Sequence, residues 1–136
     1  DGEQFSDFYV LTEDASGELV AGDYPVELVV GEPEPMIVGI ENHEGASTEY
    51  TIIVEIQEVT RLEGNRVRVD DRQRVTTFEP TVDSGETWRD EHDLVSTMTG
   101  RELRVSYLLY VDEPPAEPTA ENADESLQLW VDVTSS

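Results

Sequence analysis

Leu103-Arg104-Val105-Ser106-Tyr107-Leu108-Leu109-Tyr110-Val111 puts Leu103, Val105, Tyr107, Leu109 and Val111 on one side of an extended chain, and Arg104, Ser106, Leu108 and Tyr110 on the other. A period of two marks a β-strand, because successive side chains point to opposite faces of a sheet. The pattern recurs near the C-terminus, where Leu127, Leu129, Val131 and Val133 alternate with Gln128, Trp130 and Asp132. It recurs upstream over residues 47–59. There Tyr50, Ile52, Val54 and Ile56 share one face and Glu49, Thr51, Glu55 and Gln57 the other, with Ile53 the exception.

Further strands are expected at 5–11, 26–30, 36–41 and 66–78, and residues 86–96 read as extended. Between them lie turn and breaker signals: Gly22-Asp23-Tyr24-Pro25, Gly31-Glu32-Pro33-Glu34-Pro35, the hairpin candidate Glu63-Gly64-Asn65, and Ser84-Gly85. Asp112-Glu113-Pro114-Pro115-Ala116-Glu117-Pro118 reads as an exposed loop. No strong helical signal and no internal repeat interrupts the series. The expectation is one all-β domain over residues 1–136, an antiparallel sandwich of seven to nine strands.

The charge balance names a solvent. The chain has 32 Asp plus Glu against 8 basic residues, a formal charge of -24, and every basic residue is Arg. A compact domain so charged repels itself in dilute buffer. At molar salt the Debye length falls to about 3 Å and the repulsion becomes short-ranged. The acid is interspersed with apolar runs rather than gathered in blocks, which separates this chain from a disordered one. The composition points to a folded protein of a salt-saturated environment, as in a halophilic archaeon. Loose association of Na⁺ and K⁺ with the carboxylates is expected. The negative surface argues strongly against nucleic acid as a partner and equally against anionic lipid, since both need clustered cations. Cysteine is absent, so no disulfide, thiolate metal site or Cys nucleophile is available. No run reaches the roughly 18 apolar residues of a membrane span. No signal peptide is visible at Asp1, and both ends are consistent with a piece cut from a longer protein.

Candidate chemistry is sparse. A Gly-x-Ser-x-Gly elbow is missing, and the two histidines are His43 and His92. His43 reads as a turn residue fixing backbone geometry. Asp90, His92 and Asp93 are weak cation candidates, because alternation lets at most two neighbours share a face. Arg66, Arg68, Arg72 and Arg74 are half of the basic residues and all even-numbered, so an unbroken strand aligns them on one face. They suit an anion or acidic glycan through bidentate forks, or else cross-strand pairing with the Glu49/Glu55 face. Leu108, Tyr110 and Trp130 fall on the nominally outer face. They form either an interface patch or a surface covered by the Asp112–Glu125 loop.

Several stretches carry a family resemblance. They are Phe5-Ser6-Asp7-Phe8-Tyr9-Val10-Leu11, Asp23-Tyr24-Pro25, Val30-Gly31-Glu32, Val38-Gly39-Ile40-Glu41-Asn42-His43-Glu44-Gly45 with Tyr50-Thr51, Leu108-Leu109-Tyr110, and the terminal Leu127-Gln128-Leu129-Trp130-Val131-Asp132-Val133. In order and spacing they resemble the outer domain of an archaeal membrane-protein family known as a domain of unknown function, DUF1616. The Arg- and Asp-rich stretch 57–75 departs from the family pattern. The resemblance implies an immunoglobulin-like domain on the extracytoplasmic side, tethered by N-terminal membrane helices that lie outside this chain. It implies no activity, no cofactor and no catalytic residue. The expected role is therefore a non-enzymatic interaction or structural domain with a protein or glycan partner in the cell envelope. The alternative is a receptor or accessory domain holding an anionic group with Arg66, Arg68, Arg72 and Arg74.

The thermal unfolding midpoint is expected to rise steeply from dilute buffer to molar KCl, as repulsion is screened and burial is strengthened. A midpoint flat with salt would refute adaptation to brine.

Overall fold

The computed structural model describes residues 4–136. The described chain contains no helix and builds ten strands: β1 (Phe5–Glu13), β2 (Leu19–Val20), β3 (Glu27–Val29), β4 (Glu34–His43), β5 (Thr48–Arg61), β6 (Val67–Phe78), β7 (Thr81–Val82), β8 (Thr87–Leu94), β9 (Gly100–Val111) and β10 (Glu125–Thr134). They form a four-stranded sheet in the order β2-β1-β4-β8 and a six-stranded sheet in the order β3-β10-β9-β5-β6, with β7 added to β5. The expected sandwich is the fold. The count exceeds nine because β2 and β7 are two-residue edge pieces that no sequence period can announce. Pairing is antiparallel apart from β3, which lies parallel to the end of β10.

The predicted alternation sets the core. From the smaller sheet Phe8, Val10, Met36, Val38, Ile40 and Leu94 point inward. From the larger sheet Tyr50, Ile52, Val54, Ile56, Leu103, Val105, Tyr107, Leu109, Val131 and Val133 meet them. These side chains are nearly all below five per cent exposed, so each large aliphatic one contributes about 1.5–3 kcal/mol of transfer free energy.

Asn42 closes the β4 end of the smaller sheet. Fully buried, it donates through Nδ2 to the carbonyls of Ala46 (2.9 Å) and Val82 (2.7 Å), and its Oδ1 accepts from the Glu44 amide at 2.7 Å. One side chain thus satisfies the turn 44–46 and ties it to β7. Between β1 and β4, the Tyr9 ring covers Gly39, its direct cross-strand partner. Arg89 of β8 holds that ring in place, donating from Nε to the Tyr9 hydroxyl at 2.9 Å and stacking 5.4 Å from the ring centre. A Cβ on Gly39 would fall inside the van der Waals envelope of the ring.

Gly39→Ala is therefore expected to cost about 1–3 kcal/mol in denaturant unfolding at molar KCl. Combining it with Tyr9→Ala should recover part of that loss, since the clash partner is gone. Strict additivity of the two changes would show that the ring does not set the requirement for glycine.

Candidate functional site

The outer face of the larger sheet carries the polar residues of interest. On β5 and β9, Glu55 lies opposite Ser106 and Gln57 opposite Arg104; on β6, Arg74 and Arg72 lie opposite Glu55 and Gln57. All four residues of the β5/β9 set are buried: Glu55 at 1% exposure, Gln57 at 1%, Ser106 at 0% and Arg104 at 8%. They bond to one another. The Gln57 Nε2 amide donates to Glu55 Oε1 at 3.0 Å, while Gln57 Oε1 accepts from Arg104 Nε at 2.7 Å and from the Ser106 hydroxyl at 3.1 Å. The Glu55 carboxylate meets Arg74 Nε at 3.5 Å and Arg72 Nη1 at 3.9 Å.

The loop after β9 folds over the neighbouring outer residues. Ala120 and Ala123 pack on Ile53, Leu108 and Tyr110 to make a second apolar cluster. The Tyr110 hydroxyl bonds to the Thr119 carbonyl and to Asn122 Oδ1, and Arg72 Nη1 donates to the Pro118 carbonyl at 3.4 Å. Thr119 and Asn122 cap each other's amides, which keeps the loop folded against the sheet. Burial raises the Tyr110 phenol above its ordinary value.

This geometry decides between the alternatives for Leu108, Tyr110 and Trp130. Leu108 (0% exposed) and Tyr110 (3%) are covered by the loop, so they offer no interface. Trp130 is half-buried and separate from them. It lies beside Arg104 on β10, with the Arg61 guanidinium 4.4 Å above its ring. The three residues do not make one patch, because Leu108 and Tyr110 lie further along β9, under the loop.

The arginines do not share a face. β6 carries an extra residue between the pairs Glu58↔Asp71 and Val59↔Val69, and this bulge at Asp70 reverses the alternation. Arg72 and Arg74 reach Glu55 on the outer face. Arg68 lies across from Thr60, bonding Asp70 through Nε at 2.8 Å and the Thr60 hydroxyl at 3.3 Å. Arg66 precedes the strand and donates to the Glu63 carbonyl at 3.4 Å. The fourfold Arg surface expected from even numbering is thus broken by a single inserted residue, and three of its members hold carboxylates of this chain.

The cation candidates also part company. His92 turns into the core, where Nε2 shares a hydrogen bond of 2.9 Å with the Tyr107 hydroxyl and the ring packs against Phe78, while Asp90 and Asp93 stay exposed. Among the described residues no group of three His, Cys, Asp or Glu converges to hold a metal. His43 ends β4, bonded to Glu41 Oε1 at 2.9 Å and stacked on Phe5 at 4.7 Å.

His92 Nδ1 is buried with no hydrogen-bond partner, and burial lowers the imidazole below its ordinary value of 6.5. The unfolded chain therefore binds the proton more readily, and stability falls as pH drops below that value. Against His92→Phe as reference, the native protein should lose stability below about pH 6.5, with a slope of up to about 1.4 kcal/mol per pH unit. Parallel stability curves for the two proteins would show that the ring does not titrate against its burial.

With this geometry in place, comparison with known proteins locates the chain. No curated protein sequence matches it. The CARDB domain of a Pyrococcus furiosus protein, solved in complex with di-metal ions, superposes with a TM-score of 0.56 at 14% identity, covering 100% of both chains. A β-glucosidase from Listeria innocua, solved with glucose, superposes with a TM-score of 0.58 at 17% identity over 98% of this chain. This chain spans 17% of the length of that enzyme. At such identities the likeness is one of fold, an immunoglobulin-like β-sandwich. The sequence pattern described as "Domain of unknown function (DUF1616)" matches residues 1–132, and the chain belongs to that family.

Proposed function

We propose that this chain is a non-enzymatic interaction domain of a haloarchaeal membrane protein, working in brine on the extracytoplasmic side. The observation that carries the proposal is where the reactive side chains are engaged. His92 is sealed in the core on Tyr107, His43 is tied to Glu41, and the buried carboxylate of Glu55 is held by Arg72, Arg74 and Gln57. General acid–base or nucleophilic chemistry needs such groups free and convergent. What faces solvent is instead a carboxylate coat, with exposed acids on most strands and in the loops. That coat suits solubility and contact at high ionic strength. The partner class is a protein or glycan of the cell envelope, with Na⁺ and K⁺ gathered loosely around the acids.

Cosedimentation of the purified domain with envelopes from a halophilic archaeon, in molar KCl, tests this role. Saturable binding is expected, competed by unlabelled domain. A domain that stays in the supernatant at every salt concentration would count decisively against it.

A further inference from the structure

Three of the eight arginines line one cleft of about 270 Å³ at the β5/β6 hairpin end of the larger sheet. Arg61, Arg66 and Arg104 line it, together with Asn65, Gln128 and Trp130. Arg104 is the unusual member. It is 8% exposed, yet among the described residues no carboxylate lies within ion-pair distance, and its one hydrogen bond goes from Nε to the amide oxygen of Gln57. A guanidinium has five N–H donors, and those of Arg104 beyond Nε have no protein acceptor and remain accessible from the cleft, since His92 Nδ1 alone is a fully buried side-chain N or O without a partner among the described residues. This chain has 32 carboxylates with which to satisfy it, and β5 presents a neutral glutamine instead. Glu121 and Glu55 act on Arg104 only at longer range.

The neighbours of Arg104 are positioned but weakly held. Arg61 stacks on Trp130 and meets Glu102 at 3.5 Å, an exposed pair of the kind that contributes about 0–1 kcal/mol. Arg66 has only the Glu63 carbonyl at 3.4 Å. Both can turn toward a better acceptor at small cost. We propose that this cleft is an oxyanion-binding site, with Arg104 as its fixed floor and Arg61 and Arg66 as mobile arms, for a sulfate or carboxylate group, free or carried on an acidic glycan. Bidentate guanidinium geometry matches such groups, and the Asn65 and Gln128 amides add neutral donors at the rim. The overall negative charge repels polyanions in dilute buffer, so the site operates where salt screens that field and short-range forks decide. The site stands independently of the envelope role, because it is read on the isolated domain.

NMR titration in molar KCl tests it, following the Trp130 indole and the arginine Nε–H signals. The probes are potassium sulfate, a sulfated disaccharide, a uronic-acid disaccharide and a neutral disaccharide. Saturable shifts confined to Arg61, Arg66, Arg104 and Trp130 are expected with the anionic probes and absent with the neutral one. Saturation by sulfate alone identifies a free anion as sufficient; saturation only by a charged disaccharide identifies a glycan-borne group. R104K should weaken binding about tenfold or more, because it keeps the charge and loses the fork. Should that buried change unfold the domain, R61Q combined with R66Q alters only the arms and should weaken binding similarly at an unchanged melting point. Shifts that grow linearly and spread over the surface, or variants that bind as tightly as the native protein, would overturn the site.

Discussion

Strands β5 and β9 are buried on both faces, and the rest of the molecule is arranged around that constraint. Their inner residues build the core against the smaller sheet, and their outer residues lie under the loop that joins β9 to β10. A strand buried on both sides has to satisfy every polar side chain internally, because an unpaired buried polar group costs about 1–3 kcal/mol. The row Glu55, Gln57, Arg104 and Ser106 meets that demand by bonding within itself, and the half-exposed Arg72 and Arg74 bring compensating charge to Glu55 from β6. Networks of this kind gain from the low local dielectric only when their members are paired. Arg104 gives one donor, Nε, to the row, and its remaining guanidinium donors face the cleft.

Charge is distributed in two regimes. Most acids are solvated at the surface, where their mutual repulsion is weakest. The few cations are used locally: Arg89 clamps Tyr9 over Gly39, Arg68 meets Asp70, Arg72 and Arg74 neutralise Glu55, and Arg61 stacks on Trp130. Arginine suits each place because its planar head stacks and forks in ways an ammonium does not.

The family assignment and the fold likeness leave the activity open, since one sandwich hosts many unrelated roles. The β-glucosidase carries a similar sandwich as a fraction of its length, and the CARDB domain is the same size as this chain. Function here has to be argued from the surface of this chain, where the cleft by Trp130 gathers three of its eight arginines.

Period-two alternation was legible over β5, β9 and β10 because burial of one face is a local demand written into consecutive residues. The acidic coat was likewise legible, since 32 Asp plus Glu against 8 basic residues cannot all be buried. Pairing was not legible. The extra residue at Asp70 is invisible to a count of even positions, because whether a residue lies in a ladder or in a bulge depends on the partner strand. Nor could the alternation tell that Leu108 and Tyr110 lie beneath a loop, or that His92 meets Tyr107 across the sandwich, since both contacts join distant segments. Composition and period determined a β-fold with an acidic coat; only the tertiary structure decided which polar groups are satisfied and which are left facing a cleft, because satisfaction is a property of neighbours in space.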